Sequence, residues 1–359
     1  MEIEELNDPR HVKALSKRAN ELTKGLGTVT IMHVCGTHEH SIVSSGLRDL
    51  LPKNVRLVSG PGCPVCITPK EDIERMIHLA RKGVTVTTFG DMLNIPTDSG
   101  SLADARSQGA DVRLVYGVAN SMAIAQKEKR EVVHFGIGFE TTVPTSSVAL
   151  MSGIENFSIL SVHRTIPEAM EFLLKANIKV DGFLDPGHVA SIIGVKVFEP
   201  LSREFKLPQV VGGFEPGDVM LSVVMLLEQI HEGRHDVENE YARAVRYEGN
   251  QKALGLMERT FEHYDAKWRA LPTIPQSGLA IRREYEDMDA LVRHEDKLLD
   301  FHYEPKEVET GCRCADILLG NCIPDECPLF GGVCKPDSPV GPCMVSIEGT
   351  CNIAYKFGQ

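Results

Sequence analysis

The sequence predicts an α/β fold in which two similar parallel-sheet lobes face a central cleft, followed by a helical and cysteine-rich domain. Three observations carry that prediction. Short apolar, β-branched runs alternate with stretches of helical period through the first two thirds of the 359 residues. Every unusual loop comes directly after one of those runs. Seven of the ten cysteines fall within residues 312–351, and residues 67–311 contain none.

The runs "GTVTIMHV" (27–34), "NVRLVS" (54–59), "GVTVTTF" (83–89) and "DVRLVYG" (111–117) read as strands. Between them, "PKEDIERMIHLARKG" (69–83) puts Ile73, Met76, Ile77 and Ala80 on one helical face. Gly83 then stops the helix. Strands that alternate with helices imply parallel sheets covered by helices. Ligand loops in such sheets lie at the carboxyl ends of the strands. The next hundred residues repeat the scheme with "EVVHFGIGFETTVP" (131–144), "FSILSVHRTIP" (157–167), "VDGFLDPGHVASIIG" (180–194) and "QVVGGFEPGDVM" (209–220). This predicts one lobe over 25–118 and a second over 119–220. The second lobe lacks cysteines but keeps Glu140, Thr141, His163, His188, Glu215 and Asp218 in its loops. Residues 221–310 read as helical and charged, with a break near Gly233. Residues 1–24 join 221–359 as a third domain.

A formal net charge of −12 excludes a phosphate-tracking nucleic-acid surface, which needs clustered Lys and Arg. The acidic N-terminus "MEIEELNDPRHVKALSKRAN" has no apolar core and does not read as a secretory signal. The longest apolar run (219–230) contains Glu228 and is too short to span a bilayer. The expectation is a cytoplasmic protein without nucleic-acid or membrane partners. In that reducing compartment clustered cysteines read as metal ligands or redox thiols. No P-loop or nucleophile elbow is present, and "GIGFET" is a poor dinucleotide fingerprint.

Three segments carry the chemistry. "HVCGTHEH" (33–40) supplies Cys35, His38 and Glu39 after a strand. A thiolate and an imidazole three residues apart can meet one transition-metal ion. The alternative is a helix-capping turn with Thr37 as cap and His38 exposed. "GPGCPVC" (60–66) gives Cys63 and Cys66 redox-dithiol spacing, and a helix starting near Thr68 or Pro69 would lower a thiol pKa. They form either a reversible disulfide or two thiolates for the metal of Cys35. The tail has seven cysteines, and residues 311–359 contain no histidine, so the irregular all-thiolate spacing fits an iron–sulfur cluster better than zinc. Four of the seven are expected to be ligands, and the spacing leaves the choice open. The second-lobe loops add Glu140 and His188 as candidate polar or proton-handling groups.

The motifs "CGTHE" (35–39), "GPGCPVC" (60–66), "GFETT" (138–142), "DPGHV" (185–189), "GGFEP" (212–216) and the run from "ECPLFGGVC" to "MVSIEGTC" resemble, in order, those of the HypD family of [NiFe]-hydrogenase maturation factors. The resemblance covers nearly the whole chain. It implies an assembly scaffold on which Fe(II) acquires two cyanides and one carbon monoxide, forming the Fe(CN)2CO unit. The implied partners are a HypC-type chaperone, a HypE-type cyanide donor and, through the chaperone, a hydrogenase large subunit. It further implies a [4Fe–4S] cluster on Cys322, Cys327, Cys334 and Cys351, with Cys312, Cys314 and Cys343 unassigned. Cys35 would hold the iron with His38 close by. Cys63 and Cys66 would be the redox pair and could also touch the iron. Glu140 and His188 would serve cyanide transfer. The rival readings are an iron–sulfur-linked protein disulfide reductase and a zinc-stapled binding protein.

Overall fold

A computed structural model describes residue 6, residues 8–304 and residues 311–358. Parts of the predicted third domain, residues 1–5, 7, 305–310 and 359, lie outside the described residues. The fold is α/β with two parallel sheets and a cysteine-rich C-terminal region. β1 (Val29–His33), β2 (Val55–Ser59), β3 (Thr85–Thr88), β4 (Val112–Leu114), β5 (Val132–Gly138), β6 (Phe157–His163), β7 (Gly182–Pro186) and β8 (Gln209–Gly212) coincide with the eight apolar runs. β9 (Val237–Asn239) adds an edge strand. The helix Lys70–Arg81 buries Ile73, Met76, Ile77 and Ala80, and Gly83 follows it at φ +85°.

The strands do not divide at residue 118. The first sheet has the order β2-β1-β7-β8-β9 and the second β4-β3-β5-β6, all parallel. The chain leaves the first sheet after β2, builds the whole second sheet, and returns at β7. Each sheet therefore draws on both predicted lobes. A parallel strand reaches its neighbour only through a long crossover. The apolar pattern of one strand does not say which sheet receives it.

Side chains alternate across each strand, and both faces of both sheets are covered. In β1, Ile31 joins Leu57, Leu184, Val219 and Val223 under the helices Pro9–Leu22 and Pro216–Glu232. Those two helices, expected in a third domain, are the outer layer of the first sheet. On the other face Met32, Val58 and Phe183 share one core with Val86, Val133, Phe135 and Leu160 of the second sheet. Cys63 and Cys66 are part of that shared core.

Residues 221–310 are less helical than the charge pattern suggests. β10 (Phe261–Lys267) and β11 (Thr273–Ile281) form an antiparallel hairpin across them. Phe261 and Leu279 pack beneath the second sheet, where alternation along the strands outweighs local helix propensity. Trp268 at the hairpin's turn is 1% exposed, lies 6.2 Å from Phe139 and donates to Ser277 Oγ at 2.7 Å. Trp268→Ala is expected to cost ~3–5 kcal/mol in stability. A large fall in urea midpoint with an unchanged m-value is the predicted result of equilibrium denaturation.

Candidate functional site

Four loops gather at the carboxyl end of the first sheet. β1 runs into Cys35, which occupies the N-cap of the helix Gly36–Ser44. Cys35, not Thr37, holds that position. Desolvation raises its thiol pKa, and backbone N–H groups of His38 and Thr37 offset only part of the rise. β2 runs into Gly60–Gly62, and Cys63 caps a short helix, Pro64–Ile67. The helix expected to start near Thr68 or Pro69 is Lys70–Arg81, N-capped by Pro69, and the short helix at Cys63 precedes it. Cys63 and Cys66 form a disulfide, and Cys66 N–H donates to Cys63 Sγ at 3.2 Å.

The C-terminal tail closes over these loops. A Cβ on Gly62 would overlap the Val34 carbonyl and the Cys35 amide, and one on Gly36 would lie 2.6 Å from the Glu348 carbonyl oxygen. Only glycine permits such close backbone approach. The enclosed pocket that results is lined by Cys35, Cys63, Cys66, Cys343 and Glu348, with His33 and Glu39 at its base. Cys343 and Glu348 come from the "MVSIEGTC" segment, some 280 residues after Cys63 and Cys66.

A buried charge network supports the pocket. His33 Nε2 lies 2.9 Å from Glu39 Oε2, and Arg48 Nη2 donates to the same oxygen at 2.7 Å. Burial works to raise the Glu39 carboxyl, but the His33 hydrogen bond and the Arg48 charge outweigh it and bring it down to about 2.

His38 does not enter this pocket. Its ring is fully buried, donates from Nε2 to Gly213 O at 3.0 Å, and stacks 4.8 Å from Phe214. A buried imidazole needs such an acceptor. Burial, with the neighbouring His33 charge, lowers it to about 3, so it is neutral. His188, in the first turn of the helix Gly187–Ile193 that follows β7, stacks 3.8 Å from the same Phe214 at the surface. Glu140 follows β5 in the other sheet. Its Oε1 accepts from Ile166 N–H at 3.0 Å, capping the helix Ile166–Lys175. Burial pushes its carboxyl up to about 8, and it lines a separate cavity with Glu168 and Arg282. The structure therefore brings together Cys35, Cys63 and Cys66, places His38 and His188 in a neighbouring aromatic stack, and sets Glu140 apart as a helix cap.

The tail cysteines form a second group. Cys312, Cys314, Cys327, Cys334, Cys343 and Cys351 surround one cavity, and Cys322 is not among them. Cys322 is buried beside Arg313 and Asp316 instead. Cys314 and Cys343 have their sulfurs 2.8 Å apart. Burial raises the Cys351 thiol, and the surrounding Cys314, Cys312, Cys334 and Cys327 raise it further. Among the described residues no three His, Cys, Asp or Glu side chains converge as a single-ion site; the thiols stand around a space.

The family described as "HypD: Hydrogenase formation hypA family" matches residues 10–358 of this chain. The chain belongs to the HypD family. Its similar proteins include a putative hydrogenase expression/formation protein of Methanocaldococcus jannaschii, 43% identical over 98% of both chains. The hydrogenase maturation factor HypD of Rhizobium leguminosarum bv. viciae is 40% identical over 99% of this chain and 95% of its own. That of Cupriavidus necator is 38% identical over 99% and 97%. Among the described residues no helix is long and apolar enough to cross a membrane.

Sequence reasoning missed His33, Phe214, Cys343 and Glu348 as members of the two HypD loop clusters. Phe214 and Glu348 lie inside the motifs "GGFEP" and "MVSIEGTC", so the signal was present without an assigned role. The Glu39 network gives a direct test. Its carboxyl lies below the ordinary 4.5 in the folded chain. Its stabilisation is therefore complete above about pH 4.5 and is lost as pH falls toward 2. Glu39→Gln is expected to remove on the order of 3 kcal/mol at pH 7. Urea denaturation across pH should show the gap to wild type narrowing below pH 4.5.

Proposed function

We propose that this protein is a hydrogenase maturation scaffold. It binds an iron ion as cargo while two cyanides and a carbon monoxide are added, in complex with a HypC-type chaperone and a HypE-type cyanide donor. The chaperone would carry the finished unit to a hydrogenase large subunit. The observation that carries this reading is the shared pocket of Cys35, the Cys63–Cys66 disulfide, Cys343 and Glu348. Soft thiolates suit a transition metal, and Cys35 is the partly exposed thiol among them. A partner's cysteine can reach the cargo only from that accessible side. Glu348, an exposed residue that lines the same pocket as Cys35, is placed to take up the proton that Cys35 loses on binding metal. His38 acts at one remove, tying the Cys35 helix to the loop after β8.

The tail thiols suit a [4Fe–4S] cluster, which needs four thiolates around a compact volume. Its expected ligands are Cys322, Cys327, Cys334 and Cys351; the last three line the tail cavity, and Cys322 is buried next to Arg313 and Asp316. A cluster there would supply single electrons. Cys322→Ser is expected to lose the brown colour and the roughly four irons per chain seen after anaerobic purification, and Cys312→Ser to keep them. Iron analysis with visible absorption checks both.

The function itself is tested by infrared spectroscopy of the protein purified anaerobically with its chaperone. Metal-bound cyanide and carbon monoxide bands are expected in wild type. They should vanish in Cys35→Ala while the tail remains brown. A silent spectrum from a brown wild-type complex would instead favour a protein disulfide reductase built on Cys63 and Cys66.

A further inference from the structure

A second cavity lies away from the thiols, between the helices Ile166–Lys175 and Gln251–Thr260 and the β10–β11 hairpin. Its volume is about 310 Å³, and it shares no lining residue with the pocket of Cys35. Its polar end is built from a helix cap that is not used. Thr165 is the N-cap of the helix Ile166–Lys175 and Glu168 its third residue, the spacing of a capping box. The box does not form. Thr165 makes no side-chain cap bond, and its backbone N–H donates to Ser277 O at 3.0 Å. Glu140 Oε1 accepts from Ile166 N–H instead, at 3.0 Å. Three oxygens are thereby left over. Thr165 Oγ1, Glu168 Oε2 and Glu140 Oε2 are buried without a hydrogen-bond partner. Glu140 is 2% exposed and Thr165 3%, and all three residues line the cavity. Buried polar atoms are ordinarily paired, so such a group calls for a donor. The remaining wall is largely apolar, with Ile193, Leu254, Met257 and Phe261. Arg282 lines the cavity too but is engaged elsewhere. Its Nε donates to Glu258 O at 2.9 Å, and its Nη1 lies 3.6 Å from Glu262 Oε2.

We propose that this cavity binds a small aliphatic primary amine, with the ammonium group on Glu140, Glu168 and Thr165 and the carbon chain along Leu254, Met257 and Phe261. An ammonium offers three N–H donors and no acceptor, which matches three oxygens that lack donors. A hydroxyl offers only one donor, and a carboxylate would meet two carboxyl groups with none. The apolar wall rewards the chain, by about fourfold in affinity for each buried methylene. The charge of the lining favours a cation as well. Glu168, Glu258 and Glu262 stand against Arg282, and His263 Nδ1 is held by Gln276 O at 2.7 Å. Burial and the Glu168 charge push the Glu140 carboxyl up to about 8, so at pH 7 it carries a proton. An ammonium beside it favours the carboxylate, so binding expels that proton. Affinity therefore rises by about tenfold per pH unit between pH 6 and 8 and levels off above. Nothing in this site depends on the reading of the thiol pocket.

The test is isothermal titration of the full chain, purified anaerobically, with n-hexylammonium chloride at pH 8. A single saturable site is expected, with affinity falling about fourfold for each methylene removed toward n-butylammonium. 1-Hexanol and hexanoate should bind about tenfold more weakly or not at all. Titrations in buffers of different protonation enthalpy should report release of about one proton per amine at pH 7. Glu140→Gln still accepts from Ile166 N–H but carries no charge, and it should weaken n-hexylammonium by about tenfold or more. Met257→Trp fills the apolar end from the facing helix and should abolish binding. The iron content and thermal transition of each variant, compared with wild type, separate loss of the site from loss of the fold. Absence of saturable binding at pH 8 overturns the proposal. So does 1-hexanol binding as tightly as the amine, which would leave an apolar pocket only. Preference for hexanoate overturns it by making Arg282 the anchor. Unchanged affinity in a folded Glu140→Gln overturns the ammonium end.

Discussion

The close backbone contacts at Gly62 and Gly36 are the constraint on which the rest of the site depends. Gly62 lies against the Val34–Cys35 peptide, and Gly36 lies against the backbone of Glu348. A methyl group at either position would push the loops apart. With hydrogens there, the β1 loop, the β2 loop and the C-terminal tail meet at backbone distance, and their sulfurs share one enclosed space. The parallel sheet supplies the other half of the geometry. β1 and β2 are adjacent and in register, with His33 opposite Ser59, so their loops leave the sheet side by side.

The electrostatics follow from how tightly this space is shut. The Glu39 carboxylate is charged because His33 and Arg48 reach it inside the fold. Glu140 has a backbone donor and no cation, and it holds its proton. The tail thiols raise one another because so many are buried together, and the partly buried Arg269 guanidinium lies near Cys314 and Cys343. A dense set of buried thiols is unfavourable as free thiolates, and a bound metal ion would relieve that cost, which is how metal binding and folding are linked.

Most of the fold could be read from local pattern. Eight apolar runs became eight strands, and the helix at Lys70–Arg81 and its stop at Gly83 followed from spacing and one glycine. Sheet membership could not be read, because β2 and β3 look alike as isolated strands and only the crossover decides that they belong to different sheets. Cys35, Cys63 and Cys66 were legible because each stands in an unusual loop directly after a strand. Cys343 and Glu348 were not, because their role lies in which loops the tail covers. The placement of Cys322 beside Arg313 and Asp316, outside the lining of the tail cavity, is likewise set by the Cys314–Leu318 helix and the turn after it and not by its interval to Cys327. His38 misled for a similar reason, since spacing from Cys35 says nothing about the Gly213 carbonyl that captures its ring.

The interleaved order of the strands bears on how the protein is made. β1 and β2 leave the ribosome first, with Cys35, Cys63 and Cys66 at their ends, but their sheet partner β7 arrives more than a hundred residues later. The first sheet cannot close until the second has been synthesised, and contacts so distant in sequence form slowly. The lid over the thiols comes last of all, from the final stretch of the chain. A truncated or nascent chain therefore has the cysteines without the chamber. The chamber is assembled only once the segment that carries Cys343 and Glu348 has been made.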